Sequence, residues 1–173
     1  MDTALRFAFS KPEEIRTFRA YQQRDDAAEL EIYEASTPPL PFYHSVYGPA
    51  SGVTTFQRKN LTTNVWEPAG EISWTSNTNA TVHFGIDEVD IRDLRKPKKA
   101  NSQSRRFKAQ GSEYKWKMAE GGDLFCVDSR GKTVATWNQE ETMLHVGAQA
   151  EHVLDRVVVT CLLNLWIRQL GLW

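Results

Sequence analysis

The densest apolar pattern in the chain lies near its C-terminal end, in Glu151–Leu170, EHVLDRVVVTCLLNLWIRQL. Plotted on a helix, Val153, Val157 and Cys161 form one apolar row. Leu154, Val158, Leu162 and Leu165 form a second, and Val159, Leu163, Trp166 and Leu170 a third. The polar residues Arg156, Thr160, Asn164 and Arg168 share a single row at four-residue spacing. A helix that is apolar almost all round is buried in a protein core or in a membrane. The run from Val157 to Ile167, between the two arginines, spans about 16 Å at helical rise, roughly half the hydrocarbon thickness of a bilayer. The pattern therefore predicts a core helix that needs an apolar wall on nearly every side.

From Phe42 to Val146 the pattern changes to short strands separated by turn residues. The segments FYHSVYG, GVTTFQRKN, VWEPAGEISWTS (with a bulge expected at Pro68 and Gly70), TVHFG, DEVDIRDL, RRFKA, SEYKWKM, GDLFCVD, KTVATWN and ETMLHVG follow one another at close spacing. Alternation is clearest where Tyr114, Trp116 and Met118 face away from Glu113, Lys115 and Lys117. Upstream, residues 1–9 predict an edge strand. Ser10, Pro12 and Glu13 resemble a helix start, and Ile15, Phe18 and Tyr21 follow at helical spacing, which predicts a short helix near 11–23. Leu30 and Ile32 alternate with Glu29 and Glu31 as in a half-exposed strand, and Thr37-Pro-Pro-Leu-Pro reads as a loop.

Many strands with one apolar face each, followed by one helix apolar on all sides, are reconciled by wrapping the sheet around the helix. The expected fold is mainly β: a closed antiparallel β-barrel of about 10–12 strands around the buried C-terminal helix, plus the short N-terminal helix. Closure would also remove the sheet edges. A single domain is expected over 1–173, divided into an N-terminal extension (1–41), the barrel (42–147) and the central helix (148–170).

The length of 173 residues suits one domain with a full core. No basic and apolar leader and no lipidation motif are read at the termini. Cys126 and Cys161, both in apolar runs, are expected as free buried thiols in a reducing compartment. Asn60 and Asn79 match the glycosylation pattern, which is read as chance in turns.

The segments RRFKAQGSEYKWKMAEGGDLFCVDSRGKTVATWNQE, GVTTFQRKN, AGEISWTSNTNATVHFG and LDRVVVTCLLNLWIRQL resemble a family of unknown function abundant in mushroom-forming fungi. The likeness covers about Phe42 to Ile167 and is most specific at Tyr-Lys-Trp-Lys with its preceding Gly. That family is similar in fold to the tubby C-terminal domain, the LURP-one-related proteins and the phospholipid scramblases. The resemblance implies a barrel of roughly twelve strands around a hydrophobic helix. Tubby-like domains bind phosphoinositide headgroups on the barrel surface, but no residue-by-residue match to that site is present.

Charge adds one feature. Residues 92–108 hold Arg92, Arg95, Lys96, Lys98, Lys99, Arg105, Arg106 and Lys108 against Asp93, a local +7; the formal net charge of -1 then leaves -8 for the remainder. Such a segment is either a solvated basic loop or an anion-binding surface, for lipid headgroups or nucleic-acid phosphates. Nucleic acid is disfavoured because no aromatic residues are interleaved within the cluster for stacking. His44, His83, His145 and His152 lack metal-ligand spacing, so no metal and no cofactor is expected. His44 and Ser45 are adjacent in a strand and point to opposite faces, so no catalytic residue is assigned. Asp87, Glu88 and Asp90 read as the acidic rim of a hairpin. On the helix, Arg156 is expected to pair near Asp155, while Thr160 and Asn164 need partners from the wall or else mark an opening.

The expected function is a non-enzymatic intracellular binding or adaptor domain of tubby/scramblase-like type that binds anionic membrane lipid through 92–108, cytoplasmic and peripheral at membranes. Two alternatives stand beside it. One is an enzyme for a small hydrophobic substrate at the barrel mouth near Tyr43, His44 and Tyr47. The other is a structural or stress-response protein acting through protein contacts, with the N-terminal helix as one contact surface.

Overall fold

The computed structural model describes residues 1–23, 29–36 and 52–173. Twelve strands form one antiparallel sheet: β1 (Thr3–Ser10), β2 (Arg19–Gln23), β3 (Glu29–Ser36), β4 (Gly52–Asn60), β5 (Val65–Trp74), β6 (Ala80–Phe84), β7 (Asp87–Asp90), β8 (Arg105–Ala109), β9 (Ser112–Met118), β10 (Leu124–Val127), β11 (Thr133–Asn138) and β12 (Met143–Gly147). A four-residue helix, α1 (Ile91–Leu94), follows β7. A 3-10 turn over Ala148–Val153 leads into α2 (Leu154–Gln169).

The sheet is a meander in the order β7-β6-β5-β4-β3-β2-β1-β12-β11-β10-β9-β8. Every neighbouring pair is consecutive in sequence except β1 and β12, whose pairing runs from Thr3↔Gly147 to Ala8↔Met143. β1 is therefore an interior strand, not an edge. The bulge expected at Pro68 and Gly70 is present: Phe56 pairs with Gly70 and Gln57 with Pro68, leaving Ala69 as the extra residue.

The apolar helix occupies the middle of this sheet. Every residue of α2 from Val157 to Ile167 is buried. Its contacts come from all round: Trp116 of β9, Trp74 of β5, Tyr33 of β3, Phe84 of β6 and Asp87 of β7. Trp116, Trp137, Tyr33, Phe7, Phe18, Phe56 and Phe107 supply the largest buried side chains. Full burial of each Val, Leu or Ile on α2 contributes about 1.5–3 kcal/mol, which makes this helix the principal apolar surface of the fold. Its C-terminal end closes on Gly171, at φ 78, with Leu172 N–H donating to Ile167 C=O at 3.2 Å and Gly171 N–H to Arg168 C=O at 3.0 Å. A left-handed residue at this position satisfies the last carbonyls at no steric cost to glycine.

Two sequence expectations are corrected. The barrel is not closed, because β7 and β8 end the sheet order and do not pair with each other. The chain leaves β7 at Asp90, whose carboxylate caps α1 by accepting from Arg92 N–H, and Ile91 and Leu94 bury themselves there. With the chain turned into a helix, no strand is left to continue β7 alongside β8. An isolated bridge, with Lys96 and Arg106 exchanging N–H···O=C bonds of 3.0 and 2.9 Å, ties the crossing segment to β8.

Nor is there a helix near 11–23. Lys11 adopts φ 50, and two separate turns follow, with Glu14 N–H donating to Lys11 C=O and Thr17 N–H to Glu14 C=O. Ile15 and Phe18 are fully buried, Phe18 edge-on to Phe9 with 4.8 Å between ring centroids. Residues 19–23 bond to strands on both sides. Two ladders of backbone bonds plus two buried apolar anchors outweigh the weak propensity of a helix this short. Strands β1–β3 thus make the N-terminal segment part of the sheet.

Candidate functional site

The gap between β7 and β8 is crossed by α1 and the basic segment after it, so the most charged stretch of the sequence lies across the seam of the fold. A cleft of about 660 Å3 opens there, lined by the acidic Asp87, Glu88, Asp93 and Glu113 and by the basic Lys96, Arg106 and Lys108. Arg156 of α2 also lines the cleft; it donates to Asp87 Oδ2 at 2.6 Å, with its guanidinium 4.5 Å from the centre of the Phe84 ring.

The polar row of α2 has specific partners. The Trp116 indole N–H donates to Thr160 Oγ1 at 2.9 Å, and the Thr160 hydroxyl donates to the Arg156 C=O at 2.6 Å. Asn164 Oδ1 accepts from Arg95 Nε at 2.7 Å. Arg168 donates to the Gly122 carbonyl and to Gln139 Oε1, at 2.7 and 2.8 Å. The expected pairing of Arg156 near Asp155 is not formed. Arg156 turns to β7, while Asp155 accepts from the Tyr33 hydroxyl at 2.8 Å and pairs with Arg58 at 3.0 Å. The two adjacent residues leave the helix in different directions, each toward its nearest oppositely charged or donor group. Burial raises the Asp155 carboxyl above the usual range despite Arg58 and Tyr33; burial, then the Asp155 charge, raises the Tyr33 hydroxyl well above its ordinary value.

The eight basic residues predicted as one surface divide into groups. Lys96, Lys98, Lys99 and Lys108 are exposed and make no side-chain ion pair among the described residues. Arg92 is exposed but holds Asp90 through Nε and Nη2 at 3.0 and 3.1 Å. Arg106 pairs with Glu113 across the β8–β9 hairpin at 3.3 Å. Arg95 and Arg105 instead fold inward against Trp173, their guanidinium carbons 5.5 and 5.4 Å from its ring centroid, and the Trp173 indole donates to the Gln103 carbonyl at 2.7 Å. Arg105 also donates to the carbonyls of Ser102 and Ser104. Burial, then the proximity of Arg105, lowers the Arg95 guanidinium to about 10.

The four-residue spacing marks out the polar row of α2 but not Asp87 as the partner of Arg156 or Arg95 as that of Asn164; no local pattern links residues about seventy positions apart. Tyr43, His44 and Tyr47 lie outside the described residues. Cys126 and Cys161 are free and buried, and burial pushes both thiols up. No helix among the described residues is long and apolar enough to cross a membrane.

A family model described as a family of unknown function (DUF6593) matches residues 17–169, and the chain belongs to that family. The matched region begins well upstream of the Phe42 expected from resemblance, in keeping with the place of β2 and β3 in the sheet. No curated protein and no solved structure matches the chain.

Proposed function

Taking membership of that family as the premise, we propose that the chain is a non-enzymatic binding domain that engages anionic lipid headgroups at a membrane surface through the segment crossing the seam. The observation that carries this reading is the exposure of Lys96, Lys98, Lys99 and Lys108, without carboxylate partners among the described residues, around one gap in the sheet. At about 1 kcal/mol for each basic residue near an anionic surface, four such lysines supply roughly 4 kcal/mol, or about a thousandfold in partitioning. The resemblance of its motifs to a fungal family akin to tubby-type and scramblase-type proteins favours the same reading, under which the protein acts in the cytoplasm, peripheral at membranes.

Vesicle co-sedimentation tests it. Vesicles carrying a phosphoinositide should retain the protein, neutral phosphatidylcholine vesicles should not, and the combined variant K98Q/K99Q/K108Q should lose most of the difference. Retention should also fall as salt rises from 0.1 to 1 M, as the Debye length shrinks from about 10 to 3 Å. Equal binding to neutral and anionic vesicles would refute the proposal.

The seam cleft favours a second reading, an enzyme or carrier for a small molecule, since about 660 Å3 lies within the range of ligand pockets. Its mixed charge suits a polar substrate better than the hydrophobic one first expected. A thermal-shift screen of small polar compounds tests it: a stabilising compound whose effect disappears in Arg106→Gln supports the reading, and the absence of any such compound counts against it. The reading based on protein contacts loses the contact surface first assigned to it, since no N-terminal helix forms there.

A further inference from the structure

Arg95 and Arg105 share one indole ring, and neither has a carboxylate partner among the described residues. Elsewhere on this face the arginines are neutralised: Arg92 by Asp90, Arg106 by Glu113 and Arg156 by Asp87. A guanidinium drawn into the protein without a counter-charge is costly, because the desolvation is not repaid. Two further observations converge on the same point. Arg95 donates Nε to Asn164 Oδ1, but its Nη2 is buried and has no hydrogen-bond partner. Asn164 is fully buried, and its Nδ2 has no partner either. Because Asn164 Oδ1 must face the donor Arg95 Nε, exchanging the two ends of the amide would set donor against donor and cure nothing. Adjoining side chains therefore hold two orphaned donors and an uncompensated positive charge. Arg95 also lines a hollow of about 440 Å3 at the C-terminal end of α1, together with Thr78, Arg92, Asp93 and Lys96, so that three basic side chains there face one carboxylate.

Buried donors without acceptors are rare in folded proteins and call for an explanation. A water would satisfy a donor but would leave the charge of Arg95 and Arg105 uncompensated. An oxyanion satisfies both, because it offers several acceptor oxygens and a negative charge, and a guanidinium fork fits its geometry. We propose that Arg95, Arg105 and Asn164 form a seat for a single phosphate-type oxyanion, entered from the hollow beside α1 and walled by Trp173. Entry requires the Arg95 guanidinium to turn its free nitrogen toward the hollow that the same side chain already lines. The inference deepens the headgroup reading by naming the chemical group recognised, and it is separable from it, since the seat does not use Lys98, Lys99 or Lys108. Its ligand is a phosphate monoester, either on a lipid headgroup or free in solution.

The test is calorimetric titration of the full chain with inorganic phosphate against chloride at matched ionic strength. The wild type should bind phosphate, and Arg105→Gln and Arg95→Gln should each weaken binding at least about tenfold, the loss expected of a charge-assisted hydrogen bond. Arg105 is half-buried at the rim, so its variant should fold even if a change at Asn164 does not. Lys132→Gln, in the turn between β10 and β11, serves as the charge control and should bind as the wild type does. A lack of phosphate binding by the wild type, or binding by both arginine variants as tight as that of the wild type, would overturn the seat. Two vesicle types of equal charge separate the sources, one carrying phosphatidylinositol 4-phosphate and the other phosphatidylserine, which has no phosphate monoester. A preference for the first that Arg105→Gln loses supports a lipid source. Phosphate binding without that preference supports a free phosphate as the ligand of the seat, and the membrane reading then stands or falls on the comparison of anionic with neutral vesicles.

Discussion

Replacing Thr160 by Val tests whether the polar row of α2 is tied to the sheet wall as described. Thr160 and Trp116 are both fully buried, and the indole N–H reaches the threonine hydroxyl at 2.9 Å. Valine keeps the shape of threonine but removes the acceptor, leaving the indole N–H without a partner in the core. An orphaned buried donor costs about 1–3 kcal/mol. The offsetting gain is small, since Val and Thr differ little in helix propensity. For a domain of this size each kcal/mol moves the melting midpoint by roughly 2–4 °C, so a fall of about 2–12 °C is expected. Thr160→Ser keeps the oxygen and loses one methyl group, for about 1 kcal/mol. The decisive assay is a double-mutant cycle by urea unfolding with Trp116→Phe, which removes the donor. In that background the loss of the hydroxyl should cost about 1–2 kcal/mol less. If Thr160→Val costs the same with and without the indole N–H, the bond does not stabilise the fold and the account of the polar row is wrong.

Three further outcomes are expected. Because burial raises the Asp155 carboxyl, folding favours its protonated form. That contribution is present below the unfolded value near 3.9 and is lost as pH rises through the folded value. Urea midpoints should therefore move in favour of Asp155→Asn, relative to the wild type, as pH rises from about 3.5 to neutrality; a shift the other way would contradict the burial argument. Gly171→Ala should cost about 1 kcal/mol by thermal melting, since φ 78 is unfavourable for alanine while no atom within 4 Å would meet the new methyl group; no change would mean the helix end does not need that geometry. In a thiol-reagent assay at pH 8, Cys126 and Cys161 should react only after denaturant is added, because burial raises both; fast labelling of the native protein would show that the core opens readily.

The helix was legible in the sequence because its apolar rows leave only one polar stripe, a pattern few other environments satisfy. The strands were legible from segments such as that of Tyr114, Trp116 and Met118, where alternation and turn residues agree. The seam was not, because alternation identifies strands but does not say which edges meet; that depends on Asp90 capping a helix instead of continuing β7. The N-terminal turns were misread for a related reason. Ser10, Glu13, Ile15 and Phe18 satisfy the spacing of a helix start, yet the same spacing fits two successive turns, and long-range pairing to β1 and β3 decides between them. Charge counting found the basic segment but could not separate the lysines at its surface from Arg95 and Arg105, which Trp173, about seventy residues downstream, draws inward.

The junction of β1 with β12 has a consequence for how the protein is made. Those two strands meet from opposite ends of the chain, and α2 is synthesised after every strand it supports. Until the ribosome has released that helix, the inward faces of a dozen strands have nothing to close upon, and the final pairing waits on contacts spanning about 140 positions. Topologies of this kind fold slowly and expose sticky intermediates. Efficient production is thus expected to depend on chaperones that shield a nascent chain until its last helix arrives.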